Sequence, residues 1–97
     1  MTYEILLAPE AVDDLRRLKA HLRAEVRDAM MEHLRNEPMK TSRSRIKRLR
    51  DFHQPQYRLR VGDIRVFYDV VGAEVAVLAV VNKTDADAWL NQWGEKE

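Results

Sequence analysis

Three arginines, Arg58, Arg60 and Arg65, fall within one short stretch, QYRLRVGDIRVFYDV, running from Gln56 to Val70. Two apolar runs meet there at Gly62-Asp63. Glycine accepts positive φ, so a two-residue Gly-Asp link predicts a β-hairpin. Side chains alternate across a strand, and such a turn sets Val61 opposite Ile64. The register then pairs Arg60 with Arg65, Leu59 with Val66, Arg58 with Phe67, and Tyr57 with Tyr68. Tyr57, Leu59, Val61, Ile64, Val66 and Tyr68 make an apolar face suited to packing under helices. Arg58, Arg60, Arg65 and Phe67 share the other face.

Like charges directly across a ladder repel, so Arg60 opposite Arg65 works against folding. Fixed guanidiniums on a rigid sheet suit bidentate capture of phosphate, and Phe67 beside them suits stacking on a base. The competing reading is structural: Asp63, Asp69 or a C-terminal acid neutralises the cluster inside the folded chain.

The charge distribution points the same way. The net charge is only +1. From Lys40 to Arg65, however, nine Lys/Arg stand against two acids, a local balance of +7. The remainder carries eight Lys/Arg against fourteen acids, a balance of −6. Such polarity suits a basic surface aimed at an anionic partner, with a solvated basic loop as the plainer alternative.

The elements that must position these residues follow from pattern. Residues 2–8, TYEILLA, alternate and predict a first strand. Pro9 suits the first turn of a helix, with Glu10, Asp13 and Asp14 near its positive dipole end. Val12, Leu15, Leu18, Leu22, Val26, Met30 and Leu34 recur at steps of three and four, one helical face that ends before Pro38. A single helix of that length would reach about 40 Å at 1.5 Å per residue. Two helices broken near Lys19 fit a domain of 97 residues better.

RIKRLRDF, residues 45–52, is too charged to assign. Three strands follow, Tyr57–Val61, Ile64–Val70 and Glu74–Asn82, and then a short helix over 84–93 with Thr84 as N-cap. The expected fold class is α+β in the order β-α-α-β-β-β-α. An antiparallel sheet would carry two N-terminal helices on one face and a short C-terminal helix, in a single domain, 1–97. Trp89 and Trp93, four apart on the last helix, are expected to pack against the sheet.

Other chemistry is poorly served. There are no cysteines, hence no disulfide and no thiolate metal site. His21, His33 and His53 lie far apart and no paired-carboxylate spacing appears, so neither metal nor cofactor is expected. No Gly-rich phosphate loop or nucleophile motif is present. No window reaches the roughly 18 apolar residues of a membrane span, and a cytoplasmic protein is expected. His53, beside the basic run, is a candidate acid or base.

The β-α-α-β-β-β-α order, RLRDF ahead of YRLRVGDIRVFYDV, and VAVLAVVNK closing the sheet resemble the RelE/ParE superfamily of bacterial toxins. The resemblance implies a microbial RNase-type fold and a toxin held inactive by a cognate antitoxin. Its RelE-like branch implies cleavage of mRNA in the ribosomal A site, by 2′-hydroxyl attack on the adjacent phosphate without a metal. By position, Arg58, Arg60, Arg65 and Lys83 match the family's basic catalytic residues. Lys47, Arg48, Arg50, His53 and Phe67 are the expected RNA contacts, with the basic run 40–50 on ribosomal RNA. RelE-like enzymes commonly close with a basic–Arg pair followed by Tyr. Here NKTDADAWL keeps Lys83, puts Thr84 in place of the arginine and supplies no tyrosine. Lys83 as general acid, assisted by His53 or Tyr57, is the remaining assignment. The alternatives are a ParE-like toxin that poisons DNA gyrase without nuclease activity, and a decayed homologue that only binds antitoxin.

Overall fold

A computed structural model describes residues 2–97. The chain runs β1 (Glu4–Leu7), α1 (Pro9–Arg17), α2 (Ala20–Leu34), β2 (Ile46–Arg48), β3 (Phe52–Gln54), β4 (Tyr57–Val61), β5 (Ile64–Val71), β6 (Glu74–Asn82), α3 (Ala86–Trp93) and β7 (Glu95–Lys96). A 3₁₀ turn, Lys83–Asp85, leads into α3. The α+β class and the two-helix reading hold.

The helix break falls at Leu18 and Lys19, both extended, with ψ of 148° and 149°. Neither Gly nor Pro marks it. The long apolar stripe therefore divides into two shorter ones. The first helix buries Ala11, with Leu15 and Leu18 packed beside it, and the second buries Val26, Met30 and Leu34 at steps of four. Val12 and Leu22 are only half-buried.

Five strands form the main sheet in the order β1-β6-β5-β4-β2. The hairpin pairs as alternation predicts: all five couples from Tyr57–Tyr68 to Val61–Ile64 are in register. Gly62 sits at φ 56°, in the left-handed region that makes glycine the fitting residue for this turn. The sheet is mixed rather than wholly antiparallel, because β1 runs parallel to β6. Its partner is the last long strand, and no local pattern announces so distant a pairing. The unassigned basic stretch supplies β2, which pairs antiparallel to β4.

The strand β6 holds a bulge. Phe67 faces Ala79 while Tyr68 faces Val77, which leaves Leu78 as the extra residue. The bulge switches the strand's phase. Before it Val75 and Val77 point to the helices; beyond it Val80 does, and Ala79 turns to the opposite face with Phe67. Past the end of β1, Asp14 of the first helix accepts the Val80 N–H at 2.9 Å. An exposed sheet edge is thereby satisfied by a side chain, a task different from the dipole role its position in sequence suggests.

Two cores result. The larger lies between the sheet and α1/α2 and includes Leu59, Val66 and Tyr68. The Tyr68 hydroxyl donates to the Pro38 carbonyl at 2.6 Å, and burial, then the nearby Tyr57, pushes its pKa well above the ordinary range. The smaller core, on the far face, joins Leu49, Phe67 and Ala79 to Phe52, Trp89 and Leu90. Here α3 covers part of the face that carries the arginines. Trp89 packs on the sheet, as its spacing predicts, whereas Trp93 stays 63% exposed. Thr84 does not cap this helix: Asp85 occupies the N-cap and no side chain caps it, because the 3₁₀ turn supplies the first bends.

Candidate anion-binding site

The face of the sheet left open beside α3 forms a hollow of about 440 Å³. The strands β4, β5 and β2 supply Arg58, Arg65 and Lys47, and Lys83 opens the 3₁₀ turn that follows β6. Arg50, Asp51 and Phe52 form one wall, and Asp87 and Leu90 of α3 the other. Five cations face two carboxylates, a balance of +3 in the lining.

Arg58 is the centre of this arrangement. It stands opposite buried Phe67 on one side and Lys47 on the other. Its Nε is buried without a hydrogen-bond partner. Burial, then the charges of Arg65 and Arg60, hold its pKa below the ordinary arginine value. A guanidinium in that position is destabilised by the protein around it, and an anion in the hollow would relieve the repulsion.

The neutralising reading has clear geometric answers. Among the described residues, no ion pair within 4.0 Å involves Arg58, Arg60 or Arg65. Asp69 is buried elsewhere and accepts from Gln54 Nε2 at 2.6 Å and the Gln56 N–H at 2.8 Å. Asp63 pairs with Lys83 instead, at 3.2 Å, with side chains 80% and 55% exposed. Such an exposed pair contributes at most about 1 kcal/mol and exchanges readily. Arg65 is held by the turn itself: its Nη1 donates to the Gly62 carbonyl at 2.8 Å and the Ile64 carbonyl at 3.0 Å.

The expected site residues do not all meet. Arg58, Arg65, Lys83, Lys47 and Arg50 line the hollow. Arg60 is exposed beyond it, across the ladder from Arg65. Phe67 is no base-stacking platform: it is 0% exposed, and Trp89 lies flat on it at 4.8 Å with the rings 6° apart. Arg48 belongs to the opposite face, because it pairs with Tyr57 rather than Arg58. Its guanidinium donates to the Gln56 carbonyl at 2.8 Å and lies 5.2 Å from the Tyr57 ring centre. His53 is exposed on β3 outside the hollow, and Tyr57 stacks on Tyr68 under the helices. Neither is placed to assist Lys83.

Sequence reasoning missed Asp51 and Asp87, the two carboxylates of the lining. Asp87 was findable, since it follows Lys83 by four residues around a helical start. Asp51 was not, because its placement depends on β3 pairing with β7.

That pairing makes the wall. Phe52 faces Lys96, Gln54 faces Glu95, and the Glu97 N–H donates to the Asp51 carbonyl at 3.2 Å. Between α3 and β7, Gly94 has no room for a side chain: a Cβ would fall 2.6 Å from the Leu90 carbonyl oxygen and 2.7 Å from the Phe52 ring. Gly94→Ala should therefore displace Phe52 and lower stability by about 1–3 kcal/mol, as overpacking does. Thermal melts of the two proteins check this; an unchanged midpoint would show that the wall is loose.

With this geometry established, a family model described as the ParE toxin of type II toxin–antitoxin systems, parDE, matches residues 5–86. The chain belongs to that family. It is a type II toxin of the RelE/ParE superfamily. Solved structures agree in fold. The toxin is similar to a chain of the RelBE2 toxin–antitoxin complex of Mycobacterium tuberculosis, at 25% identity and TM-score 0.70, covering 84% of this chain and 99% of that one. A chain of the archaeal RelE–RelB complex of Pyrococcus horikoshii is similar at 25% identity and TM-score 0.63, covering 86% and 97%. One from the RelB–RelE complex of Methanococcus jannaschii, at 24% identity and TM-score 0.67, covers 87% and 96%. No curated protein matches the chain. No helix of the toxin's described residues is long and apolar enough to cross a membrane.

Proposed function

We propose that this toxin is a ribosome-dependent mRNA endoribonuclease, acting in the A site on the phosphate that the Arg58 hollow receives. The observation that carries the reading is the buried, unpartnered Arg58 Nε, flanked by Arg65 and Lys83 with no carboxylate paired to either arginine. The 2′-oxygen of one nucleotide attacks the adjacent phosphorus, and the bond to the 5′-oxygen breaks. The products are a 2′,3′-cyclic phosphate and a 5′-hydroxyl end. Arg58 and Arg65 stabilise the charge that develops on the phosphorane, which pre-placed donors do best in a partly desolvated site. Neither moves a proton, since a guanidinium keeps its charge at physiological pH. Asp51 and Asp87, the lining carboxylates, are the candidates to accept the 2′-hydroxyl proton, and Lys83 of the same lining is the candidate to donate one to the leaving oxygen. Ribosomal RNA is the second anionic partner, and the likeness to toxins solved with RelB antitoxins supports a cognate antitoxin as the protein partner.

A second reading is favoured by the family model itself, whose ParE description fits a gyrase-poisoning toxin that cuts no RNA. Primer extension on a reporter mRNA, translated in vitro with the purified toxin, separates the two. The expected result is cuts at in-frame positions only when ribosomes are present. Intact mRNA together with gyrase-dependent DNA breaks in expressing cells would replace the proposed function with the second.

A further inference from the structure

A second, smaller hollow of about 310 Å³ lies at the β2 edge of the sheet. Its lining includes Thr41, Ser42, Arg43, Lys47 and Arg50, with apolar Ile46 among them and no acid. Lys47 and Arg50 line the Arg58 hollow as well, so the two depressions share these cations on a common rim.

The outer hollow rests on a built turn rather than a loose basic loop. The Ser42 N–H donates to the Ile46 carbonyl at 2.9 Å, and the Arg45 N–H donates to Ser42 Oγ at 3.0 Å. The Arg60 N–H donates to the Arg45 carbonyl at 2.8 Å, which carries the ladder one step past β2. Arg45 Nη1 is tied to the Arg60 carbonyl at 3.3 Å and Arg48 to the Gln56 carbonyl at 2.8 Å. Arg43, exposed on the same turn, makes no side-chain hydrogen bond or ion pair among the described residues. The cations thus step outward across neighbouring strands, from Arg65 on β5 to Arg58 on β4 to Lys47 on β2, and then to Arg43. Lys47 and Arg58 are direct cross-strand neighbours and Arg58 and Arg65 diagonal ones, so the charges form a row suited to a chain of phosphates rather than to one anion.

We propose that the two hollows form one continuous track for single-stranded RNA. Its inner phosphate sits at Arg58, and the flanking phosphates pass over the β2 edge onto Lys47, Arg50 and Arg43. The inference rests on the RNA-cleaving reading and adds the course of the strand and an outer subsite at Arg43, with the Thr41 and Ser42 hydroxyls beside it.

Binding of fluorescent 2′-O-methylated RNA, from dinucleotide to hexanucleotide, tests the track without cleavage. Affinity should rise with length and then level off once the outer subsite is filled. For the hexanucleotide, Arg43→Ala should reduce the slope of log K against log salt by about 0.7, the share of one single-strand phosphate contact. For the dinucleotide, the same substitution should change nothing. Arg43→Glu should weaken hexanucleotide binding further, and a thermal melt of each variant checks that the turn has kept its fold. Equal affinity for all lengths, or an unchanged slope in a folded Arg43→Ala protein, overturns the track while leaving the Arg58 site in place. Failure of the wild-type toxin to bind any of these oligonucleotides at low salt overturns both.

Discussion

Arg58→Met should make this protein more stable and inactive. The two effects have one origin. Arg58 carries a buried Nε with no partner, and its charge is opposed by burial and by Arg65 and Arg60. An unsatisfied buried donor is unfavourable by about 1–3 kcal/mol, and the lower figure suits a side chain that keeps part of its surface in water. Methionine keeps the reach of the aliphatic stem beside its cross-strand neighbour Phe67 while removing donor and charge. A rise in folding stability of about 1 kcal/mol is expected from urea or thermal unfolding. Loss of a positioned cation at a phosphorane should lower the rate of mRNA cleavage by roughly a hundredfold to a thousandfold.

Inorganic phosphate supplies an independent reading of the same site. A ligand that binds only the folded state raises the melting temperature with concentration. Phosphate should raise that of the wild type and leave Arg58→Met unmoved. A variant less stable than the wild type, or one still stabilised by phosphate, would mean that Arg58 is already satisfied inside the fold.

Local rules carried the hairpin completely. Gly62-Asp63 sets the turn, alternation sets the faces, and both survive because strand pairing across a two-residue turn needs nothing distant. The strands Tyr57–Val61 and Glu74–Asn82 were legible to the residue for a similar reason. What stayed hidden was set by residues far apart in sequence: the parallel pairing of β1 with β6 and the wall made by β3 and β7.

The basic run shows the difference within two neighbours. Lys47 and Arg48 look equivalent in composition, yet β2 pairing to β4 sends Lys47 to the side of Arg58 and Arg48 to the side of Tyr57. One lines the hollow and the other lies over an aromatic ring. The bulge at Leu78 is hidden for a related reason. In the unbroken apolar run VAVLAVV no polar residue marks which face each side chain takes. These are also the features that complete the candidate site. Asp51 and Phe52 reach it only because the tail pairs with β3, and Asp87 only because α3 folds across the sheet.

Phe67 gives the sharpest test of that distinction, since alternation placed it correctly on the arginine face and yet implied the wrong task. If it were a stacking platform, Phe67→Leu would weaken RNA binding and leave stability alone. As a fully buried residue under Trp89, it should behave in the opposite way. Phe67→Ala removes the centre of the smaller core, with an expected loss of about 3–5 kcal/mol. Against a total stability of about 5–15 kcal/mol for a domain, that leaves much of the protein unfolded on warming. Phe67→Leu, closer in volume, should lose under about 1.5 kcal/mol. Its affinity for the 2′-O-methylated hexanucleotide, corrected for folded fraction, should match the wild type. Urea unfolding of both variants beside that binding measurement decides the matter. A folded Phe67→Leu protein with wild-type stability and lost affinity would return the ring to the RNA. Leucine with intact binding and alanine with collapsed stability would place it under the site, holding α3 against the sheet so that the cations stay where a phosphate can reach them.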